Sequence, residues 1–295
     1  MATQSSEPTR RNKIALWVLS ILLLFLLAAI VYVVTDWLSA QTEHPGTKQQ
    51  PAVTEQSHPA SFAGPYCYAG TPKPLPTFQD TINILTNTGY LVGYCEARKD
   101  PVWVCYRLFT VSSFRAPPRP QGFTVDMRTR AKVSQHDYVG SGYDRGHMAP
   151  NYAIAVCYGG QAQLETFLMS NIIPQRPRLN RQVWERLEQE EIRDYAQRFK
   201  QVWVIDGPVF GQEAKRLACG VAVPTACFKI IVEAERGQPK TLAFIMPQTV
   251  EGTESPGEFL TNVGEIEKET GLDFFSELPK DAQSRMEAET PARMW

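Results

Sequence analysis

The sequence predicts an α+β domain, and three observations carry that expectation. Short apolar runs rich in β-branched and aromatic residues recur from Tyr90, Lys200, Cys227 and Thr241. Longer stretches with apolar residues three and four apart follow Asn180 and Glu258. The two kinds mix without the β-α-β alternation of a doubly wound sheet. A length of 295 residues leaves room for one or two domains with a sizeable core. The formal charge of −1 excludes a globally basic nucleic-acid binder, so any contact with a polyanion has to come from a local patch.

Residues 14–34 form an almost unbroken apolar run, about the length a helix needs to cross a bilayer. The run is longer than the apolar part of a cleaved signal peptide, and Leu38-Ser39-Ala40 is a poor cleavage site, so it reads as an uncleaved transmembrane signal anchor. Arg10, Arg11 and Lys13 precede it while Asp36 and Glu43 follow. That asymmetry puts the tail, residues 1–13, in the cytoplasm and everything after Trp37 across the membrane. A bacterial inner membrane with the domain in the periplasm fits; a mitochondrial inner membrane facing the intermembrane space is the alternative. Residues 35–70 read as a flexible linker, rich in Gln, Pro, Thr and Ser, with His44 and His58 inert within it. The globular domain is expected over residues 71–295.

Six cysteines, Cys67, Cys95, Cys105, Cys157, Cys219 and Cys227, all follow the anchor. An even count in an exported region favours disulfides, and no C-x-x-C pair is present. Cys95 with Cys105 and Cys219 with Cys227 are the expected local pairs; buried free thiols are the alternative. Residues 90–95 and 102–108 are expected to form a hairpin, and residues 114–122 a proline-rich connection. Residues 167–174 read as a short strand stopped by proline, after which Asn180 opens a helix carrying Val183, Trp184, Leu187, Ile192, Tyr195 and Phe199. Asn180 and Glu188 lie about 80° apart on an α-helix, flanking one side of that stripe. Arg176, Arg178, Arg181 and Arg186 make this the most basic stretch; by composition alone it reads as an Asn cap and a solvated face. Strands follow at residues 200–205, 227–233 and 241–246, and a helix over 258–270 ends on a Gly271 cap.

Chemistry concentrates between Gly142 and Pro150. Asp144, Arg145, Gly146 and His147 place an acid, a guanidinium, a flexible glycine and an imidazole in consecutive positions. Histidine takes a proton from water near neutral pH, and arginine offers a fixed fork of donors to phosphate oxygens. This suits phosphoryl transfer to water. Gly140, Gly142 and Gly146 miss the G-x-G-x-x-G spacing by one residue, and no phosphate loop, H-E-x-x-H or G-x-S-x-G is present. His136 reads as a surface residue.

Together with Met148-Ala149-Pro150, this motif resembles the DNA/RNA non-specific endonucleases of the ββα-metal class, the group of the Serratia-type nuclease and endonuclease G. Ser170-Asn171-Ile172-Ile173-Pro174-Gln175, Leu179-Asn180, Trp184, Leu187-Glu188 and Asp206-Gly207-Pro208-Val209-Phe210 follow in the family's order, and the likeness spans about residues 75–285. The resemblance implies a ββα-metal domain with a central antiparallel sheet. It implies metal-dependent hydrolysis of DNA and RNA with little sequence preference, leaving 5′-phosphate and 3′-hydroxyl ends. By the same resemblance His147 is the general base and Asn180 the direct ligand of one Mg²⁺, with Mn²⁺ as the alternative ion. Glu188 supports the metal's water shell, Arg145 lies near the phosphate, and Asp144 and Asn171 are supporting residues. Arg176, Arg178 and Arg181 are expected to bind the substrate backbone. Where the Serratia-type enzyme carries a second phosphate-binding arginine, before an aromatic-x-x-Asp segment, this chain has Gln121. Arg119, Arg128 and Arg130 are candidates for its place. DNA, RNA and the membrane are the expected partners; relatives suggest a homodimer, and a protein inhibitor is an open partner. Two other readings stay open: a nucleic-acid receptor of the same fold with weak catalysis, and a phosphodiesterase restricted to small nucleotides.

Overall fold

The computed structural model describes residues 64–211, 214–236 and 238–295. The expected anchor, residues 14–34, and most of the linker lie outside them. Among the described residues no helix is long and apolar enough to cross a membrane. Cys67, Tyr68 and Ala69, at the end of the stretch read as linker, are buried.

Short β1 (Lys73–Pro74) leads into an antiparallel meander of β2 (Ile82–Asn87), β3 (Tyr90–Cys95) and β4 (Asp100–Phe109). β5 (Asp144–His147) and β6 (Ile172–Gln175) pair with each other as a separate ribbon. β7 (Gln201–Val209), β8 (Ala226–Glu233), β9 (Lys240–Pro247) and β10 (Leu260–Thr261) complete a seven-stranded sheet in the order β10-β9-β8-β7-β4-β3-β2, and β11 (Leu272–Asp273) pairs back onto β1. Every neighbouring pair is antiparallel. Helices α1 (Asn151–Tyr158) and α2 (Gly160–Thr166) lie between β5 and β6 in the chain; α3 covers residues 179–199, and α4 (Val263–Thr270) and α5 (Lys280–Ala288) follow the sheet. β5, β6 and α3 make the two-strand-plus-helix unit that the resemblance implies.

Alternate residues of the central strands face two cores, as the period of a strand requires. Tyr106, Leu108, Val202 and Val204 pack with Val183, Trp184 and Leu187 of α3. Trp103, Trp203, Ile205 and Phe228 face the other way, with Ile266 of α4 and Phe274. A sheet covered on both faces loses its polar alternation, so β8 reads as a continuous apolar run apart from Lys229 and the terminal Glu233. The expected end of β7 at Ile205 falls short, because the strand continues to Val209. Pairing with β4 stops at Asp206, so the missing donor of Pro208 falls beyond that ladder.

The expected cysteine pairs do not form. Across the β3–β4 hairpin Cys95 faces Asp100 while Cys105 faces Leu91, so their side chains are several residues apart along the ladder. Cys105 instead bonds Cys67, at a Cα–Cα distance of 5.3 Å, stapling the segment before β1 to the sheet. Cys219 and Cys227 are free: Cys227 is buried with the α3 core, and Cys219 packs in a small separate cluster around Tyr138. The last predicted helix starts later than expected, at Val263, where the Asn262 side chain accepts from Glu265 N at 2.9 Å. It ends as expected on Gly271, at φ +72°.

A cleft between the motif strand and helix α3

The motif is a strand, and its glycine is there for space. Gly146 lies opposite Ile173 in the β5–β6 ribbon, and a Cβ on it would come within 1.9 Å of the Gln175 amide oxygen. It is buried and does not adopt a positive φ, which corrects the expectation of a flexible glycine. Asn171 fixes the end of the strand. Its side-chain Oδ1 accepts from Ala149 N at 2.9 Å, and its side-chain Nδ2 donates to Ala149 O and Thr166 O at 3.0 Å each. With its amide spent on backbone, Asn171 is a buried support.

Asn180 is not the helix cap. Its N–H donates to Arg176 O at 2.9 Å, and residues 179–184 form a wide turn with i→i+5 bonds, a feature that recurs at functional sites. Such a turn rotates less per residue than an α turn, which trims the offset of about 80° expected between Asn180 and Glu188. Both line one cleft of about 380 Å³ with Arg119, Asp144, Arg145, His147 and Asn151. Asp144 accepts from Asn180 Nδ2 at 3.0 Å, leaving Oδ1 as the free end of that amide. It also takes a two-pronged contact from Arg181, at 2.6 and 2.8 Å. Burial pulls the Asp144 carboxyl upward, but these donors outweigh it and hold it below its ordinary range.

His147 stands between two phenylalanines, with ring centroids 5.3 Å from Phe123 and 4.9 Å from Phe167. Each of those rings carries an arginine: Arg145 lies 5.3 Å from the Phe123 centroid and Arg119 lies 5.1 Å from that of Phe167. The Nε2 atom of His147 is buried with no hydrogen-bond partner. Burial, and then the positive charge of Arg119, push the imidazole down to about 3. The imidazole is therefore neutral at physiological pH, with a lone pair free to take a proton. Of the three candidate arginines, only Arg119 reaches the cleft. Arg128 is spent on Asp126, Asn87 Oδ1 and Thr86 O, and Arg130 is exposed elsewhere.

The cleft also holds the oxygens a hard divalent cation takes. Oδ1 of Asn180 is unengaged, and Oδ1 of Asn151 is buried and unpartnered. Burial pushes the Glu188 carboxyl up to about 8 despite the nearby charge of Lys229. A cation would relieve all three. Asn151 was missed in the sequence; its place at the start of α1, directly after the motif's Pro150, was the available signal.

The predicted substrate arginines divide. Arg181 lines the cleft, while Arg176 and Arg178 line a second hollow of about 720 Å³ with Tyr143 and Gln248. Behind α3 lies a group the sequence did not reveal. Lys229 Nζ, fully buried, is 2.7 Å from Glu191 and 3.2 Å from Asp206, and donates to Tyr106 at 3.1 Å. It also sits 4.4 Å from the Trp184 ring centroid. Burial pushes Asp206 up to about 7, against the pull of Lys229.

Residues 72–281 match the family model for DNA/RNA non-specific endonuclease. The chain is 33% identical over 210 residues to mitochondrial nuclease EXOG of Xenopus laevis, covering 65% of this chain and 58% of that one. It is 35% identical over 208 residues to mitochondrial endonuclease G of Homo sapiens, covering 63% and 67%. The chain spans 58–62% of the length of four mitochondrial EXOG relatives. Among solved structures, one described as the crystal structure of the EndoG/EndoGI complex, on the mechanism of EndoG inhibition, aligns with a TM-score of 0.62 at 26% identity. That alignment covers 72% of this chain and 91% of the other.

Proposed function

Because the chain belongs to the DNA/RNA non-specific endonuclease family, we propose that it is a metal-dependent endonuclease hydrolysing phosphodiester bonds of DNA and RNA with little sequence preference. The observation that carries this reading is the buried, unpartnered Nε2 of His147 in an arginine-lined cleft. His147, held neutral, takes the proton from the attacking water. Arg145 and Arg119 hold non-bridging phosphate oxygens. Asp144 turns the Asn180 amide so that Oδ1 is free. Asn180, Asn151 and Glu188 would hold the ion, Mg²⁺ or alternatively Mn²⁺. When bound, the ion neutralises charge on the phosphorane and the departing 3′-oxygen.

In the whole chain, residues 14–34 anchor the domain through the linker to the far side of a membrane. That side is the periplasm or the mitochondrial intermembrane space; the names of the mitochondrial relatives favour the second. An inhibitor protein of the kind that binds EndoG is a candidate partner, as is a second copy of the chain. The test is the full chain in detergent, offered circular plasmid DNA and RNA with Mg²⁺ or with EDTA. Cutting of both polymers only with Mg²⁺ is expected. Binding of DNA without cutting under any divalent metal would make the chain a nucleic-acid receptor, and hydrolysis of small diesters alone would make it a small-nucleotide phosphodiesterase.

A further inference from the structure

We infer that the hollow beside the cleft seats the nucleotide next to the scissile phosphate, with its base stacked on Tyr143 and not read. This rests on the endonuclease reading above. The hollow, about 720 Å³, is larger than the cleft and is lined by Tyr143, Arg176, Pro177, Arg178, Gln248 and Val250. Its lining adjoins that of the cleft along the chain. Tyr143 directly precedes Asp144 of β5, and residues 176–178 lead from β6 to Asn180 on α3.

Charge, walls and polar groups all point to the same occupant. Arg176 is exposed, and its guanidinium forms no hydrogen bond or ion pair among the described residues. Arg178 is 60% exposed and its partner Glu251 73%, so water already screens that pair and a phosphate can replace the carboxylate. Tyr143, Pro177 and Val250 give the hollow apolar walls for a base. A ring stacks on any base, because every base has a π-face. The amide of Gln248 is turned to the backbone and the residue is only 5% exposed, so it offers a base edge little to pair with. Oε1 accepts from Arg176 N and Nε2 donates to Pro174 O, each at 2.7 Å. Stacking without readout is what a nuclease indifferent to sequence needs.

The test compares the full chain with Tyr143→Ala and Tyr143→Phe on a single-stranded oligonucleotide and on an abasic oligomer of the same length. Tyr143→Ala should raise KM on the oligonucleotide about tenfold, within the range for one stacked base, with kcat nearly kept. Tyr143→Phe should match the wild type, and the Ala effect should vanish on the abasic oligomer. Separately, Arg176→Ala should reduce the salt dependence of single-strand binding by about one phosphate, a slope change of about 0.7. Equal loss of kcat on both substrates would show that Tyr143 only shapes β5, and an unchanged KM or salt slope would likewise overturn the subsite. If the wild type cuts no polymer, the endonuclease reading fails; if it cuts and Tyr143→Ala matches it, only the subsite fails.

Discussion

Helix α3 contributes to two groups of charged side chains that use similar residue types differently. Behind it, Lys229, Glu191 and Asp206 are fully buried, and each charge faces an opposite one. In front, the cleft leaves Nε2 of His147, Nε of Arg145 and Oδ1 of Asn151 buried and unpartnered. Displaced pKa values occur in both groups: Asp206 lies near 7 and His147 near 3. A shifted pKa therefore does not separate scaffold from site here. Nor does an unsatisfied atom alone, since Oδ1 of Asp206 is also buried without a partner; unsatisfied atoms on side chains that line a cavity do, because a native interior otherwise pairs its polar groups.

The sharpest contrast is His147→Ala, which should cut nucleic acid about 10²–10⁴-fold more slowly while unfolding at nearly the wild-type temperature. Lys229→Ala should do the reverse. Leaving Glu191 and Asp206 without their cation costs about 3–5 kcal/mol, read by urea unfolding, while the folded fraction keeps cutting. A stable Lys229→Ala protein, or an unfolded His147→Ala protein, would break the comparison.

Asn171→Ala should cost about 1–3 kcal/mol by leaving the Ala149 backbone unpaired and should lower kcat through the displaced strand. Stability lost with kcat unchanged would mean that β5 does not depend on this clamp.

Glu188 gives a pH signature. Its folded value near 8 lies above the ordinary 4.5 of a glutamate, so the folded chain keeps a proton that the unfolded chain releases. Stability of the metal-free protein should fall as pH rises from about 4.5 to 8, and Glu188→Gln should remove the part of that fall between about 7 and 8, because the raised Asp206 and Glu267 carboxyls contribute up to about 7. Mg²⁺ should expel the proton, so its affinity should rise with pH toward 8. Calorimetry in buffers of different ionisation heat reads the release; no proton released would remove Glu188 from the ion's surroundings. The smallest effect is expected at the exposed Arg178–Glu251 pair, where Glu251→Ala should change stability by less than about 1 kcal/mol. A larger loss would make that hollow a structural element.

Much of this was legible in sequence because it is local. The β3–β4 hairpin, the strands at β8 and β9, the Gly271 cap and the Asp144–His147 motif are each written in a few consecutive residues, and the motif with the ordered matches after it carried the family. What was hidden depends on distant pairing. Cys67–Cys105 follows from the register of β3 on β4 and the path of the segment before β1. Arg119 reaches the cleft on an irregular loop held by Thr124, which bonds Phe167 O and Met169 N at 2.9 Å each. Lys229 looked like a charge inside an apolar strand because its partners lie 38 residues away in Glu191 and in the neighbouring strand at Asp206.

The central claim is that His147 is the proton acceptor in the cleft. The most direct measurement is relaxation of circular plasmid DNA by wild type and by His147→Ala, with and without added imidazole. The substitution leaves a space between Phe123 and Phe167 the size of the lost ring. The account predicts that His147→Ala loses nearly all cutting and that imidazole restores part of it, rising with the neutral form. His147→Ala cutting at the wild-type rate would contradict it.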